Sequence, residues 1–373
     1  MASITKRGKT WQARITYYDD TGNRQQKNQG GFKTKREAAE YANQFEVDRD
    51  TGELTLKESP YFKDYFWDWF ETYKESSVRE RTRLTYIQAH NVLKKYLPKT
   101  KLDEIDRRRY QLFLKDYGQS HAKSTVSKMN SLFHASIKDA IYDGLLRKDF
   151  IENSSLVYDK KRTRKIEYLN EAEVQTLLDY LLKTRNKNFT SKYMIITALM
   201  TGMRPGEIEG LRWSNINDDF NTIQIEQSWN ETNQDFQDLK NESSHRIIRI
   251  DKWLIDILKE IPHRGSQGLV FVNQYGTIPT SAAVNKTLRS ALKDCKINRT
   301  GFHFHSCRHT HVAYLLAHGI DLYAVSKRLG HSNITITANT YAYLIDEYKV
   351  KTDSQIVTAL SELLPVDAKS KSV

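Results

Sequence analysis

The chain has 373 residues and carries 58 Lys+Arg against 46 Asp+Glu, a formal net charge of +12; that is length for two or three domains and a charge suited to a polyanionic partner. Hydrophobic residues make up 39%, which permits packed cores and excludes a disordered basic tail. No apolar run approaches the ~18 residues of a membrane span, the N-terminus lacks a signal peptide's apolar stretch, and Cys295 and Cys307 make no disulfide framework, which suits a reducing cytosol.

Residues 1–56 form the first segment. Trp11, Ala13, Ile15 and Tyr17 alternate with Gln12, Arg14 and Thr16, the period of a half-buried strand. Asp20-Thr21-Gly22-Asn23 is a turn signal, and a polar strand follows from Arg24 to Gln29. Thr34-Lys35-Arg36-Glu37 is a capping box, opening a helix whose apolar face is Ala38, Ala42 and Phe45. Residues 1–36 carry nine Lys/Arg and two Asp, a net +7. Strands bearing Arg14, Arg24 and Lys27 fit a DNA major groove; the alternatives are a solvated basic domain and a protein-docking module.

Residues 58–158 read as helical throughout. Pro60 opens an aromatic helix (Tyr61, Phe62, Tyr65, Phe66, Trp69, Phe70), Tyr86 to Leu97 continues a second, and Val126, Met129, Phe133, Ile137 and Ala140 recur at helical spacing. Lys and Arg lie on other faces, among them Lys123 and Lys128. Any one of these is ordinary solubilising charge; as a set they suit phosphate contacts. A basic linker, 159–165, follows with Lys160, Lys161 and Arg162 leading five cations in six residues.

Residues 166–373 begin with the helix start Asn170-Glu171-Ala172-Glu173. Met194–Met200 is a buried helix stopped by Gly202. Arg204 follows, with Pro205 suited to a first helical turn and Glu207 one turn on to brace the guanidinium. Lys240 falls on or near a hairpin turn between strand-like Ile223–Ile225 and Arg246–Ile250. His305 and Arg308, three apart at a helix start, share a face near the positive end of its dipole. The cluster of His303, His305, His309 and His311 raises a zinc site, which the absence of HExxH or paired cysteines disfavours. His331 follows Gly330. Tyr341 and Tyr343 lie in one helical stretch, their phenols about 200° apart, so one of them faces any given site.

The strings Thr201-Gly202-Met203-Arg204-Pro205-Gly206-Glu207, His305-Ser306-Cys307-Arg308-His309-Thr310, Leu329-Gly330-His331-Ser332 and Thr340-Tyr341 resemble the active-site motifs of the tyrosine recombinases, the integrase family of phages and mobile elements. Lys240-Asn241 stands where the family usually has Lys-Thr, and Tyr343 where it often has a histidine. The resemblance implies a mainly α fold with small β-sheets in three domains: an arm-binding sheet and helix (1–56), a helical core-binding bundle (58–158) and a mixed α/β catalytic domain (166–373). It gives Tyr341 the role of nucleophile, Arg204, Arg308, His305 and His331 the phosphate and its protons, and Lys240 the leaving oxygen. Cleavage then proceeds through a 3′-phosphotyrosyl bond and a Holliday junction, with no metal, cofactor or ATP; Gly8-Lys9-Thr10 is no P-loop.

The partners so implied are double-stranded attachment sites and a homotetramer on DNA in the bacterial cytoplasm, and the resemblance admits an excision factor and a host DNA-bending protein. An amphipathic stretch at 350–364 suits a tail that docks on a neighbouring protomer or on its own domain. A type IB topoisomerase-like enzyme and a non-catalytic DNA-binding protein on the same scaffold are the rival functions.

Overall fold

The computed structural model describes residues 2–18, 24–50, 59–162, 166–239 and 241–347, with fragments at 357–358 and 360–361. The expected turn at 20–23, the end of the linker (163–165), Lys240 and most of the tail at 350–364 lie outside the described residues. By its internal contacts the chain divides into two units, 1–164 and 165–373.

In the first unit, β1 (Ala2–Arg7), β2 (Thr10–Tyr18) and β3 (Arg24–Phe32) form an antiparallel sheet with β2 central. The expected alternation holds: Ala13, Ile15 and Tyr17 face α1 (Lys35–Asp50) and pack on its Ala38, Ala42 and Phe45. Thr34 Oγ1 accepts from the Glu37 amide at 3.1 Å, while the Glu37 carboxylate reaches back to the Lys33 amide, one residue beyond the expected partner. Cross-strand pairing joins Arg14 to Asn28 and Tyr18 to Arg24, and puts Lys27 opposite buried Ile15. Arg14 and Arg24 therefore stand on the face away from the helix, with Gln12, Thr16, Gln26 and Asn28. Lys27 shares the helix-covered face, its ammonium 5.3 Å from the Phe45 ring.

The same unit holds a second core, built by α2 (Phe62–Tyr73), α3 (Glu80–Tyr96), α4 (Arg107–Gly118) and α5 (Lys123–Tyr142). Pro60 precedes the first of these helices, which begins at Phe62; the Pro60 carbonyl accepts from Leu102. Phe62, Phe66 and Phe70, at i, i+4 and i+8, bury one stripe against Tyr86, Phe133 and Phe150. Among the partly polar aromatics, Trp69 finds Asp139 at 2.6 Å and Tyr65 the Ser136 carbonyl at 3.2 Å, which offsets the cost of burying their polar atoms.

The second unit starts with α6 (Glu171–Thr184), closed by a reciprocal cap in which Asn170 and Glu173 each accept the other's amide at 2.9 Å. Next come α7 (Ser191–Thr201) and the single turn α8 (Pro205–Glu209). Helix α7 is apolar all round (Tyr193, Met194, Ile195, Ile196, Ala198 and Leu199 are all buried) and forms the axis of the core. Strands β4 (Ile216–Asn217), β5 (Thr222–Ile225) and β8 (Arg246–Arg249) make an antiparallel sheet, with a separate hairpin of β6 (Gln227–Asn230) and β7 (Asp235–Asp238) inserted between β5 and β8. The hairpin turn therefore falls at 231–234, and Lys240 follows the second strand by two residues. Helices α9 (Lys252–Lys259), α10 (Ser281–Asp294), α11 (Phe304–Ala317), α12 (Leu322–Leu329) and α13 (Ile334–Glu347) complete the unit. No helix among the described residues is long and apolar enough to cross a membrane.

Candidate active site

Two helix ends supply the frame. Helix α7 stops at Gly202 and α12 at Gly330, both in the left-handed region with φ +68°. Glycine adopts that conformation without penalty, and neither position has space for a side chain: a Cβ would lie 2.6 Å from His311 Cδ2 or 2.9 Å from Arg246 Nη1. The backbone carbonyls at these ends accept from arginines. Arg308 donates to Gly202 O at 2.7 Å and to Leu329 O at 2.8 Å, and Arg204 to Gly330 O at 3.3 Å. A cation at a helix C-terminus is favoured by the dipole, and Arg308 occupies two at once.

Glu207, almost wholly buried, organises the cations. One oxygen accepts from Arg204 Nη1 at 2.7 Å and Arg246 Nη1 at 3.1 Å; the other accepts from the Arg204 amide and from Arg246 Nη2, both at 2.8 Å. Burial alone would raise this carboxyl, but the hydrogen bonds and charge of Arg246 and the charge of Arg204 hold it down to about 2. Burial, reinforced by Arg204, pushes Arg308 down to about 9, still cationic at neutral pH. Two guanidiniums bond this carboxylate and a third, Arg308, feels its charge, so the site has positive charge to spare for an anion. Arg246 also donates to the Arg328 carbonyl at 2.7 Å, which ties strand β8 to the segment before His331.

The histidines follow. A guanidinium only donates, so His331 Nε2, 3.1 Å from Arg308 Nη2, is an acceptor, and His331 Nδ1–H donates to Thr337 Oγ1 at 2.7 Å. His305 stands with its ring 5.0 Å from that of His309. His309 Nδ1 lies 2.8 Å from the Tyr341 hydroxyl. Tyr341 is 1% exposed, packed with Val312, Ala313, Val325 and Leu329, and its backbone (φ −115°, ψ 15°) breaks helix α13 at that residue. It is close enough for its charge to be felt by Arg308. Burial first, then neighbouring cations, push His305, His309 and His331 down to about 4 each.

Arg204, His305, Arg308, His331 and Tyr341, collected from α8, α11, α12 and α13 and their ends, are thus brought into one region. Lys240, expected beside them, lies outside the described residues. Three further residues belong to the network, and the sequence signals them unequally. Arg246 closes a string, Ser243-Ser244-His245-Arg246, whose family likeness is its signal. His309 stands out in the sequence only as a metal ligand, and among the described residues no three His, Cys, Asp or Glu converge as ligands. Thr337 has no signal. Cys307 is fully buried, its thiol pushed up by burial. Of the expected DNA contacts, Lys123 and Lys128 are exposed on α5, and Lys160, Lys161 and Arg162 form an exposed turn.

The depressed imidazoles predict acid sensitivity. A histidine lowered from 6.5 to about 4 stays neutral in the fold while its unfolded counterpart takes a proton, so stability is full above pH 6.5 and falls as pH drops towards 4. His90 and His311 are lowered too, to about 4 and about 3. Glu209, raised to about 8 by burial and by the Glu231 carboxyl, works the other way, but five histidines oppose that one group. Glu207 loses its contribution only below pH 4.5. The expected result is a thermal midpoint that falls steadily between pH 6.5 and 4.5, read by circular dichroism; a flat midpoint across that window would contradict these environments.

Comparison with known proteins joins the pieces. Three family profiles match in order: an Arm DNA-binding domain over residues 2–48, a Phage integrase SAM-like domain over 61–156, and the Phage integrase family over 167–347. The chain is 28% identical over 267 residues to a tyrosine recombinase XerC-like protein of Caldanaerobacter subterraneus subsp. tengcongensis, an alignment covering 62% of this chain and 66%, just under two thirds, of the relative. It is 24% identical over 328 residues to the integrase of Staphylococcus phage L54a, covering 80% of this chain and 91% of that one. The Tn1549 transposon integrase, solved in complex with a circular intermediate DNA, shares the fold with a TM-score of 0.67 at 19% identity, over 79% of this chain and 99% of that one. By its three matched segments and its site strings, the chain belongs to the tyrosine recombinase family of the phage integrase type.

Proposed function

We propose that this protein integrates, and in the reverse direction excises, a phage or mobile element by site-specific recombination between DNA attachment sites. The observation that carries this reading is the meeting of Arg204, Arg308 and His331 beside the buried phenol of Tyr341, with three guanidiniums around one carboxylate. An excess of fixed positive charge in a partly dry site stabilises a pentacoordinate phosphorus far more than it does in water. Tyr341 attacks the scissile phosphate and becomes esterified to the 3′ side, which conserves the bond energy and releases a 5′ hydroxyl. That hydroxyl attacks the phosphotyrosine of a partner duplex. His305 and His331 act on the phosphate and its protons, and Lys240 protonates the departing oxygen. Exchange of two duplexes requires four such cuts, hence four protomers around a Holliday junction.

The three segments take separate parts of the DNA. The open sheet face with Arg14 and Arg24, flanked by amides, suits base edges in a major groove. Lys27, on the helix side, suits a backbone phosphate, as do Lys123, Lys128, Lys160, Lys161 and Arg162. The reaction takes place on DNA in a bacterial cytoplasm, with an excision factor and a host bending protein as further partners.

The test is recombination between two DNAs that carry the boundary sequences of the encoding element. The full chain is expected to join them, and a chain lacking residues 1–56 is expected to cut the core site at near the full-length rate yet integrate at least about tenfold less well, through loss of the arm's contribution to affinity. Relaxation of supercoils without joining would favour a topoisomerase, and unchanged integration by the truncated chain would remove the arm from the reading.

A further inference from the structure

The geometry points to His309 as a further catalytic residue, whose Nδ1 holds the Tyr341 hydroxyl and receives the phenolic proton when the oxygen attacks phosphorus. The inference rests on the proposed function and adds to it the fate of one proton. Three observations support it. First, Nδ1 lies 2.8 Å from Tyr341 Oη, within the reach required of a general base. Second, the two rings pack edge to face, their centroids 5.7 Å apart at 62°, which holds the imidazole against the residue that bears the hydroxyl. Third, helix α13 is broken at Tyr341, so the phenol is carried on a backbone joint, and its hydroxyl in this state is engaged by His309.

The surroundings fix the imidazole's form. Arg308 and His305 face it from its own helix, His303 from the residues before that helix, and Tyr341 from α13. Burial, Arg308 and His303 keep it neutral at pH 7, and in its Nε2–H tautomer the electron pair on Nδ1 is available to the hydroxyl. A scissile phosphate beside Arg308 offsets the second of those causes and makes the imidazole a better base at the moment of attack. His331 makes no such contact with the phenol: in this state its Nε2 accepts from Arg308 and its Nδ1–H donates to Thr337.

The step balances. The Tyr341 Oη–H bond breaks and its proton passes to His309 Nδ1 as Oη bonds to phosphorus. The P–O5′ bond breaks, its electron pair leaves on O5′, and that oxygen is protonated by the separate general acid, proposed as Lys240. On rejoining, a 5′ hydroxyl attacks phosphorus, the phenolate departs, and His309 returns the proton to it.

The experiment uses the full chain and nicked duplexes bearing the element's boundary sequence, after the cut has been mapped with unsubstituted protein. His309→Asn keeps an acceptor near Nδ1 but takes up no proton. It is expected to fold and bind DNA normally, and to form the covalent adduct about 10²–10³-fold more slowly, the range for loss of a general base. A substrate with bridging sulfur at the 5′ position, which leaves without a proton, is expected not to restore the rate. Imidazole added to His309→Ala is expected to restore part of it. Adduct formation by His309→Asn at the unsubstituted rate would overturn the inference, as would full restoration by the 5′-sulfur substrate. If His309→Asn does not fold, the imidazole response of His309→Ala decides alone, absence of rescue counting against. Failure of the unsubstituted chain to form any adduct would defeat the proposed function, an outcome distinct from all of these.

Discussion

Tyr341→Phe is expected to reduce the covalent protein–DNA adduct by about 10⁴-fold or more, the scale on which removal of a nucleophile acts in enzymes that proceed through a covalent intermediate. The fold is expected to survive, because the ring and not the hydroxyl packs with Val312, Ala313, Val325 and Leu329. Phenylalanine keeps that shape. The hydroxyl's loss leaves His309 Nδ1 without its partner, a cost of about 1–3 kcal/mol for a buried group, so the thermal midpoint is expected to fall by roughly 2–10 °C. DNA affinity is expected to stay close to that of the unsubstituted chain, since the cations proposed to hold the phosphate, Arg204 and Arg308, are untouched. Denaturing gels read the adduct and mobility shifts read the binding. An adduct of normal yield would transfer the role of nucleophile elsewhere, with Tyr343, two residues on, the first candidate.

Much of this site is legible in the sequence because its residues sit at points where local rules are strict. Gly202 and Gly330 end helices in a conformation that side chains resist, so a chain that places Arg204 and His331 just beyond them advertises both. His305 and Arg308 fall on one face by their spacing alone. The arm's strands are legible from alternation, and the cap at Asn170 from its reciprocal Glu173. Long-range choices are not. Glu207 braces Arg204 from one turn away, as its spacing predicts, but its second partner, Arg246, comes from a strand 39 positions later, and no local pattern specifies that meeting. The inserted β6–β7 hairpin places its turn well before Lys240, and the sequence hides those strands because Gln, Ser and Asn interrupt the apolar alternation that marks one. Lys27 reads as one more cation on a basic strand; only register shows that it shares a face with buried Ile15.

Glu207→Ala is the second large effect: stability and cleavage both fall, while protection by DNA grows. Removing this carboxylate leaves Arg204 and Arg246 without their shared partner, with Arg308 already pressed by both. Breaking a buried ion pair from one side costs about 3–5 kcal/mol, because the remaining charge stays buried and uncompensated. In a unit of this size that corresponds to a midpoint lower by roughly 10 °C. A DNA phosphate brings back the missing negative charge, so DNA is expected to raise the midpoint of Glu207→Ala by more than it raises that of the unsubstituted chain. Cleavage is nonetheless expected to fall by about 10²-fold or more, because Arg204 is no longer held at both its amide and its guanidinium, and a misaimed donor forfeits stabilisation that exists only in the transition state. Glu207→Gln, which keeps the shape and one acceptor, should fall between the two in stability. Differential scanning with and without DNA, beside single-turnover cleavage, separates these expectations: a midpoint unchanged by Glu207→Ala would mean that the arginines hold their places without it, and equal protection of both proteins by DNA would mean that the phosphate does not enter among them.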